Sequence, residues 1–261
     1  MADEKTGMIL AWIGALIIGV TLGLLGSGGS ILTVPVLVYL VGQDPKVAMA
    51  GSLMIVALIS LFAAWPYARQ KTIDWRLVAW FGLPGLVGAA GGAWLAHFID
   101  AMVQMLIFAA LMLSAAYLMF KPMDLSHPPK VRANTKIVAD GLVVGALTGL
   151  VGVGGGFLII PALVLLGGLS MRLAVGTSLV IIVMKSLVGF VVYLDVLAAQ
   201  DLAIDWAIII KFSLLGILGG WLGHKISDKF DQQKLRQFFA VFLVLMSLFI
   251  LYQKLPGLLI G

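Results

Sequence analysis

Of 261 residues, 62% are hydrophobic and only 11% charged, and the mean hydropathy is +1.12; soluble domains run near half apolar and a quarter charged. That composition excludes an ordinary soluble fold and gives room for about eight to ten spans of about 20 residues, leaving almost nothing for a soluble domain, so any activity is expected within the membrane part. The 17 Lys and Arg against 12 Asp and Glu lie mostly in short loops, where they report topology rather than nucleic-acid binding, and the lack of cysteine removes disulfides, thiolate chemistry and Cys-ligated metals.

In chain order, apolar segments are expected at about 8–25, 30–42, 46–67, 76–97 and 101–120, then at about 137–151, 156–168, 171–194, 206–226 and 232–252. The first run follows an acidic-leaning start with no small-residue cleavage site, so it reads as a retained span. It runs into Gly26-Ser27-Gly28-Gly29-Ser30, with Pro35 beyond. The segment after this break is too short to cross: 13 residues rise roughly 20 Å against a ~30 Å hydrocarbon core. It either dips in and returns or forms half of a discontinuous span, tolerable only where it lines a cavity or packs in protein. Asp44-Pro45 marks a helix start by N-cap and first-turn proline, with Ser170 as its later counterpart. Asp74-Trp75 and Asp205-Trp206 each join a capping carboxylate to an interfacial indole.

The glycine break recurs 126 residues on, as Gly152-Val153-Gly154-Gly155-Gly156 with Pro161. Gly19/Gly145, Gly23/Gly149, Leu32/Leu158, Gly42/Gly168, Ala48/Ala174, Ser52/Ser178 and Ser60/Ser186 keep that register. After a five-residue insertion it resumes, with Ile73-Asp74-Trp75 against Ile204-Asp205-Trp206 and Gly85 and Gly88 against Gly216 and Gly219. A register held over half a chain is an internal duplication. The chain therefore divides into a first transmembrane repeat, 1–120, a polar cytoplasmic linker, 121–136, and a second transmembrane repeat, 137–261. Arg69, Lys71 and Arg76 place the loop 68–76 inside, whereas its counterpart 194–205 carries Asp195, Asp201 and Asp205 and no cation. The expected fold is thus an all-α polytopic membrane protein of two inverted repeats, each a glycine-broken re-entrant or discontinuous helix plus about three full spans, with both termini outside.

Consecutive glycines let successive N–H groups turn toward one point, and the helix that follows adds its positive end. Gly28, Gly29, Ser30, Gly154, Gly155 and Gly156 are therefore candidate contacts for an oxyanion at two tips that meet near the midplane; close helix packing is the competing explanation. That explanation is preferred for Gly82, Gly85, Gly88, Gly91, Gly92, Gly216, Gly219, Gly220 and Gly223. Lys185, about 14 residues into 171–194, is an intramembrane cation and so a candidate for substrate binding. Ser52, Thr177 and Ser178 are further candidate donors, although such hydroxyls commonly bond their own helix. Lys46 and Arg172 align at helix starts, where a cation opposes the dipole, and suggest an anion vestibule as readily as simple solvation.

Every carboxylate lies at a segment end or in a loop, so coupling through a midplane acid is not supported. His97, His127 and His224 form no metal cluster or relay, and no Walker, Ser/His/Asp or His-Glu-x-x-His pattern occurs. No metal, cofactor or enzymatic activity is expected; the expected partners are a small anion and membrane lipid, and self-association stays open.

The paired breaks Gly26–Pro35 and Gly152–Pro161, followed by Ala48…Ser52 and Ala174…Ser178, resemble the sulfite-exporter family of TauE/SafE type over about residues 10–252. That resemblance implies a multi-pass permease of the cell inner membrane for sulfite, thiosulfate or an organosulfonate such as sulfoacetate. It also assigns the anion to the glycine tips at Gly28-Gly29 and Gly154-Gly155; Lys185 rests on burial alone. Export by alternating access around a midplane anion site is the expected mode, with a transporter or channel for another small organic anion or a cation as the alternative.

Overall fold

The computed structural model describes residues 2–96, 98–99, 101–120, 133–151, 156–198, 201–227 and 229–259. Among them every regular element is helical: α1 (Ala2–Leu25), α2 (Gly28–Leu40), α3 (Pro45–Arg69), α4 (residues 75–96), α5 (Ala101–Phe120), α6 (Asn134–Val151), α7 (residues 156–166), α8 (Met171–Ala198), α9 (Trp206–Ser227) and α10 (Gln232–Leu259). Four described segments are long and apolar enough to cross a membrane: Met8–Leu25, Lys46–Arg69, Met171–Asp195 and Trp206–Ser227. The linker at 121–132 and the second break at 152–155, with Gly154 and Gly155, lie outside the described residues.

The expected starts hold locally. Asp44 Oδ1 accepts the Lys46 N–H at 2.8 Å, Asp74 Oδ1 that of Leu77 at 3.0 Å, and Asp205 Oδ1 those of Ala207 and Ile208 at 3.0 and 3.1 Å. Ser170 Oγ stands 3.5 Å from the Leu173 nitrogen, too long for an effective cap. The helix after the first break begins at Gly28, two residues ahead of the expected segment at 30–42.

Both proline-bearing short helices end alike. A π turn follows Pro35 over Val36–Leu40 and Pro161 over Ala162–Leu166, each closed by a bond spanning five residues, Val41 N–H to Val36 O (3.2 Å) and Gly167 N–H to Ala162 O (3.0 Å). Proline lacks a donor and its ring crowds the carbonyl four residues back, which breaks the α-helical ladder there. Gly42 and Gly168 then take left-handed backbone, φ +77° and +67°, and turn the chain away. A third π turn, Val78–Gly82, lies inside α4.

The chain forms two compact units. Unit 1 comprises residues 1–73 and 175–230, and unit 2 comprises 74–174 and 231–261, so each takes helices from both halves of the sequence. Unit 1 is centred on α1 against α9, and unit 2 on α6 against α4. Backbones touch in both seams. A methyl on Gly19 would collide with the Gly216 carbonyl, one on Gly219 with that of Leu16, and one on Gly223 with that of Val20. In unit 2, Gly145 stands against the Gly85 carbonyl, Gly88 against that of Leu142, and Gly92 against that of Ala146. These are the same contacts 126 and 131 residues apart. Small residues give membrane helices close approach where no hydrophobic force favours association. Most of the scattered glycines are thus accounted for by packing; Gly91 is not, since a methyl there meets nothing within 4 Å.

Candidate anion site at the first glycine break

Within unit 1 the first break is the tip of a helical hairpin. Gly26 has φ +72°, a conformation that favours glycine, and its N–H bonds the Leu22 carbonyl at 2.8 Å to close α1. The chain then reverses, and α2 runs back along α1. Gly29 packs so tightly on α1 that a methyl would strike the Ile18 carbonyl and the Leu22 side chain, and Val36 reaches Gly14. The acceptor end of one helix and the donor end of the other therefore share one tip.

Side chains from other helices cap two carbonyls of the acceptor end. The buried Tyr67 hydroxyl, on α3, donates to the Gly23 carbonyl at 2.9 Å. The Ser178 hydroxyl, on α8, lies 3.2 Å from the Gly26 carbonyl oxygen and 2.8 Å from that of Val175, so its one proton is shared between them. Behind Tyr67, the His224 ring meets it edge-on at 4.5 Å, and Gln70 Nε2 lies 3.3 Å from His224 Nε2.

The donor end stays open. Among the described residues nothing accepts from the N–H groups of Gly28 and Gly29. Ser27 occupies the N-cap position (φ −157°, ψ −15°), yet its hydroxyl makes no cap, is fully buried and has no partner. Ser30 instead turns its hydroxyl back to the Ser27 carbonyl at 2.8 Å, and Thr33 bonds the Gly29 carbonyl at 2.8 Å. The Gly23 and Gly26 carbonyls are capped while the Gly28 and Gly29 donors and the Ser27 hydroxyl are left over, which tilts the local field toward negative charge.

The other candidates fall in different places. Thr177 is buried beside Ser178 on α8. Lys185 is half-buried seven residues beyond Ser178, two turns along the same face and about 10 Å up the axis, with its Cβ inclined back toward Ser178. Ser52 is buried but donates to its own helix, at the Met49 carbonyl (2.7 Å). It precedes Tyr67 by 15 residues on α3, about 22 Å along the axis, and exposed Lys46 lies about 30 Å away, so neither comes to this break. Arg172 is half-buried at the start of α8, and Gly156 is buried at the start of α7. Tyr67 and Ser27 were not singled out by sequence reasoning. A usable signal existed for the first, because Tyr193 stands 126 residues on in the same register, although its hydroxyl is spent on Met49 Sδ at 3.2 Å.

No group of three or more potential metal-ligating residues occurs among the described residues. No solved structure matches the chain. A family model, sulfite exporter TauE/SafE, matches residues 11–250. Relatives include a probable membrane transporter protein of Xylella fastidiosa (strain 9a5c), 32% identical over 246 residues that cover 91% of this chain and 92% of the relative. Another is the probable membrane transporter protein YunE of Bacillus subtilis (strain 168), 27% identical over 275 residues, 94% and 97% of the two chains. A probable membrane transporter protein of Methanocaldococcus jannaschii is 28% identical over 256 residues, 90% and 94%. With the family model spanning nearly the whole chain, and apolar helices of crossing length beneath it, this protein belongs to the TauE/SafE family of membrane transporters.

Proposed function

We propose that this transporter exports a small sulfur-containing anion (sulfite, thiosulfate or an organosulfonate such as sulfoacetate) across the cell inner membrane, by alternating access. The observation that carries the reading is the polarity of the first break: the Gly28 and Gly29 N–H groups and the Ser27 hydroxyl are unspent, while the Gly23 and Gly26 carbonyls are capped by side chains of other helices. Fixed donors of this kind can replace an oxyanion's hydration shell. Lys185 adds a cation on the face of α8 that carries Ser178, and Gly154, Gly155 and Gly156 repeat the first break in sequence, 126 residues on. The inverted-repeat topology expected from the loop charges suits alternating access. Sulfur chemistry is favoured by the family's description. Export of one negative charge from an inside-negative cell gains about 2.3 kcal/mol per 100 mV, so outward flow needs no coupling ion.

The test is thermal unfolding of the purified protein with sulfite, thiosulfate, sulfoacetate, sulfate and acetate, since a bound ligand stabilises by RT ln(1 + [L]/Kd). Selective stabilisation by one sulfur anion is expected, with loss of that response in Lys185→Met. A response to carboxylates or to cations alone would overturn the substrate class.

A further inference from the structure

Among the described residues, the hydroxyls of Ser27, Ser60, Ser213 and Ser227 are buried without a hydrogen-bond partner, and all lie in unit 1. A buried hydroxyl left unpaired is costly and calls for a reason. Their places along the helices separate them. Ser60 lies two turns before Tyr67 on α3, and Ser213 lies 14 residues before Ser227 on α9, about 21 Å along the axis.

Ser227 belongs to the first break. The seam of α1 and α9 advances in steps of four residues: a methyl on Gly219 would strike the Leu16 carbonyl, and one on Gly223 that of Val20 and the Leu24 nitrogen. Gly19 and Gly23 in turn meet the Gly216 and Gly220 carbonyls, so the two helices run side by side up to this point without diverging. One further step brings Ser227 to the Leu24 carbonyl, where α1 gives way to the break. Burial agrees, for Ile226 is 38% exposed and Ser227 only 2%. Ser27 follows Leu24 by three residues. Two unspent hydroxyls therefore stand at one end of the seam, next to the Gly28 and Gly29 N–H groups.

The duplication sorts the hydroxyls the same way. At an offset of 126, Ser27 corresponds to Val153; at 131, Ser227 corresponds to Ala96. The glycines of the seam are kept in both repeats, whereas both hydroxyls are absent from the second. Close packing needs a small residue at either position but no hydroxyl.

We infer that Ser227 is a further contact of the transported anion, its hydroxyl and that of Ser27 donating to the anion from two sides of the first break. The inference rests on the anion site proposed above and makes the two breaks unequal, the first being the one that binds. The end of α9 also meets the end of α3, where Gln70 Nε2 lies 3.3 Å from His224 Nε2, and loop charge places the loop after α3 inside. Ser227 thus stands on the cytoplasmic flank of the break, where an anion bound for export arrives first.

Isothermal titration calorimetry of the detergent-purified protein with sulfite, thiosulfate and sulfoacetate tests it. Ser227→Ala should raise the Kd of the anion that binds about tenfold, as for one lost hydrogen bond to a charged group, while the empty protein melts no earlier. Ser227→Gly, which continues the glycine series, should show the same loss and serves should the alanine variant fold poorly. Ser213→Ala is the matched control: it removes an equally buried, unspent hydroxyl from the same helix and should leave Kd unchanged. Unchanged Kd in both Ser227 variants, beside a weakened Ser27→Ala, overturns this contact and leaves the anion site standing. Equal weakening in Ser213→Ala overturns it too, since the loss would then belong to the helix as a whole. Absence of binding of all three anions to the unaltered protein rejects the site and this contact together.

Discussion

At the scale of single residues, Ser27 and Tyr67 make opposite predictions. Ser27 carries a fully buried hydroxyl with no partner, which costs stability in the empty protein. Ser27→Ala should therefore leave thermal stability unchanged or raise it. The same change should weaken the binding of the anion by about 1.5–3 kcal/mol, the worth of a hydrogen bond to a charged group. A fall in stability with unchanged anion response would show that the hydroxyl serves the fold. Tyr67→Phe leaves the Gly23 carbonyl buried without its donor and should cost about 1–3 kcal/mol in unfolding measured by thermal or denaturant titration. The contrast also marks what the sequence makes legible. Lys185 stands out because a charge deep in an apolar run needs a reason. Tyr67 does not, since tyrosine near a span's end already has an ordinary explanation at the interface. Its real partner lies 44 residues away, and no local period points across that distance. Ser178 is intermediate: its hydroxyl was expected to face an anion, and it also bonds its own helix, but its second acceptor is the carbonyl of the broken turn.

Among elements, the glycine seams separate neighbours that look alike in sequence. Gly88 abuts the Leu142 carbonyl, whereas Gly91 faces open space. Gly88→Ala should destabilise by about 1–3 kcal/mol through overpacking, while Gly91→Ala should be neutral or gain about 0.5–1 kcal/mol from helix propensity. Unfolding of the two variants side by side checks this; equal effects would mean that the seam is not close-packed. Periodicity and duplication made the helix ends readable to within four residues, save the start of α1 and the end of α10, which run six and seven residues past the apolar segments, because bilayer thickness and capping chemistry act locally. The π turns were not readable. Pro35 and Pro161 announce a disturbed helix, but whether the chain kinks, breaks or widens depends on neighbours that the sequence does not place. Val78–Gly82 has no proline at its start and gave no signal at all.

For the whole molecule, loop charge predicts that residues 68–76 and 194–205 lie on opposite sides of the membrane. The chain has no cysteine, so single-cysteine variants report without background. Lys71→Cys should react with an impermeant maleimide only after permeabilisation, and Ala203→Cys should react in intact cells. Labelling of both from the same side would reject the inverted arrangement. Unit 1 is consistent with this within itself: Gln70 at the end of α3 meets His224 at the end of α9, and Tyr193 near the end of α8 meets Met49 near the start of α3.

The interleaving of the two halves also sets a timetable for biogenesis. The glycine face of α1 has its partner on α9, which leaves the ribosome about 180 residues later. At roughly 5–20 residues per second, that is a wait of roughly 10–40 s. Throughout it, a helix notched for close contact stands in the bilayer with only lipid or an insertion chaperone to fill the notch. Nascent chains stalled before residue 206 should therefore be the species that quality-control proteases remove first.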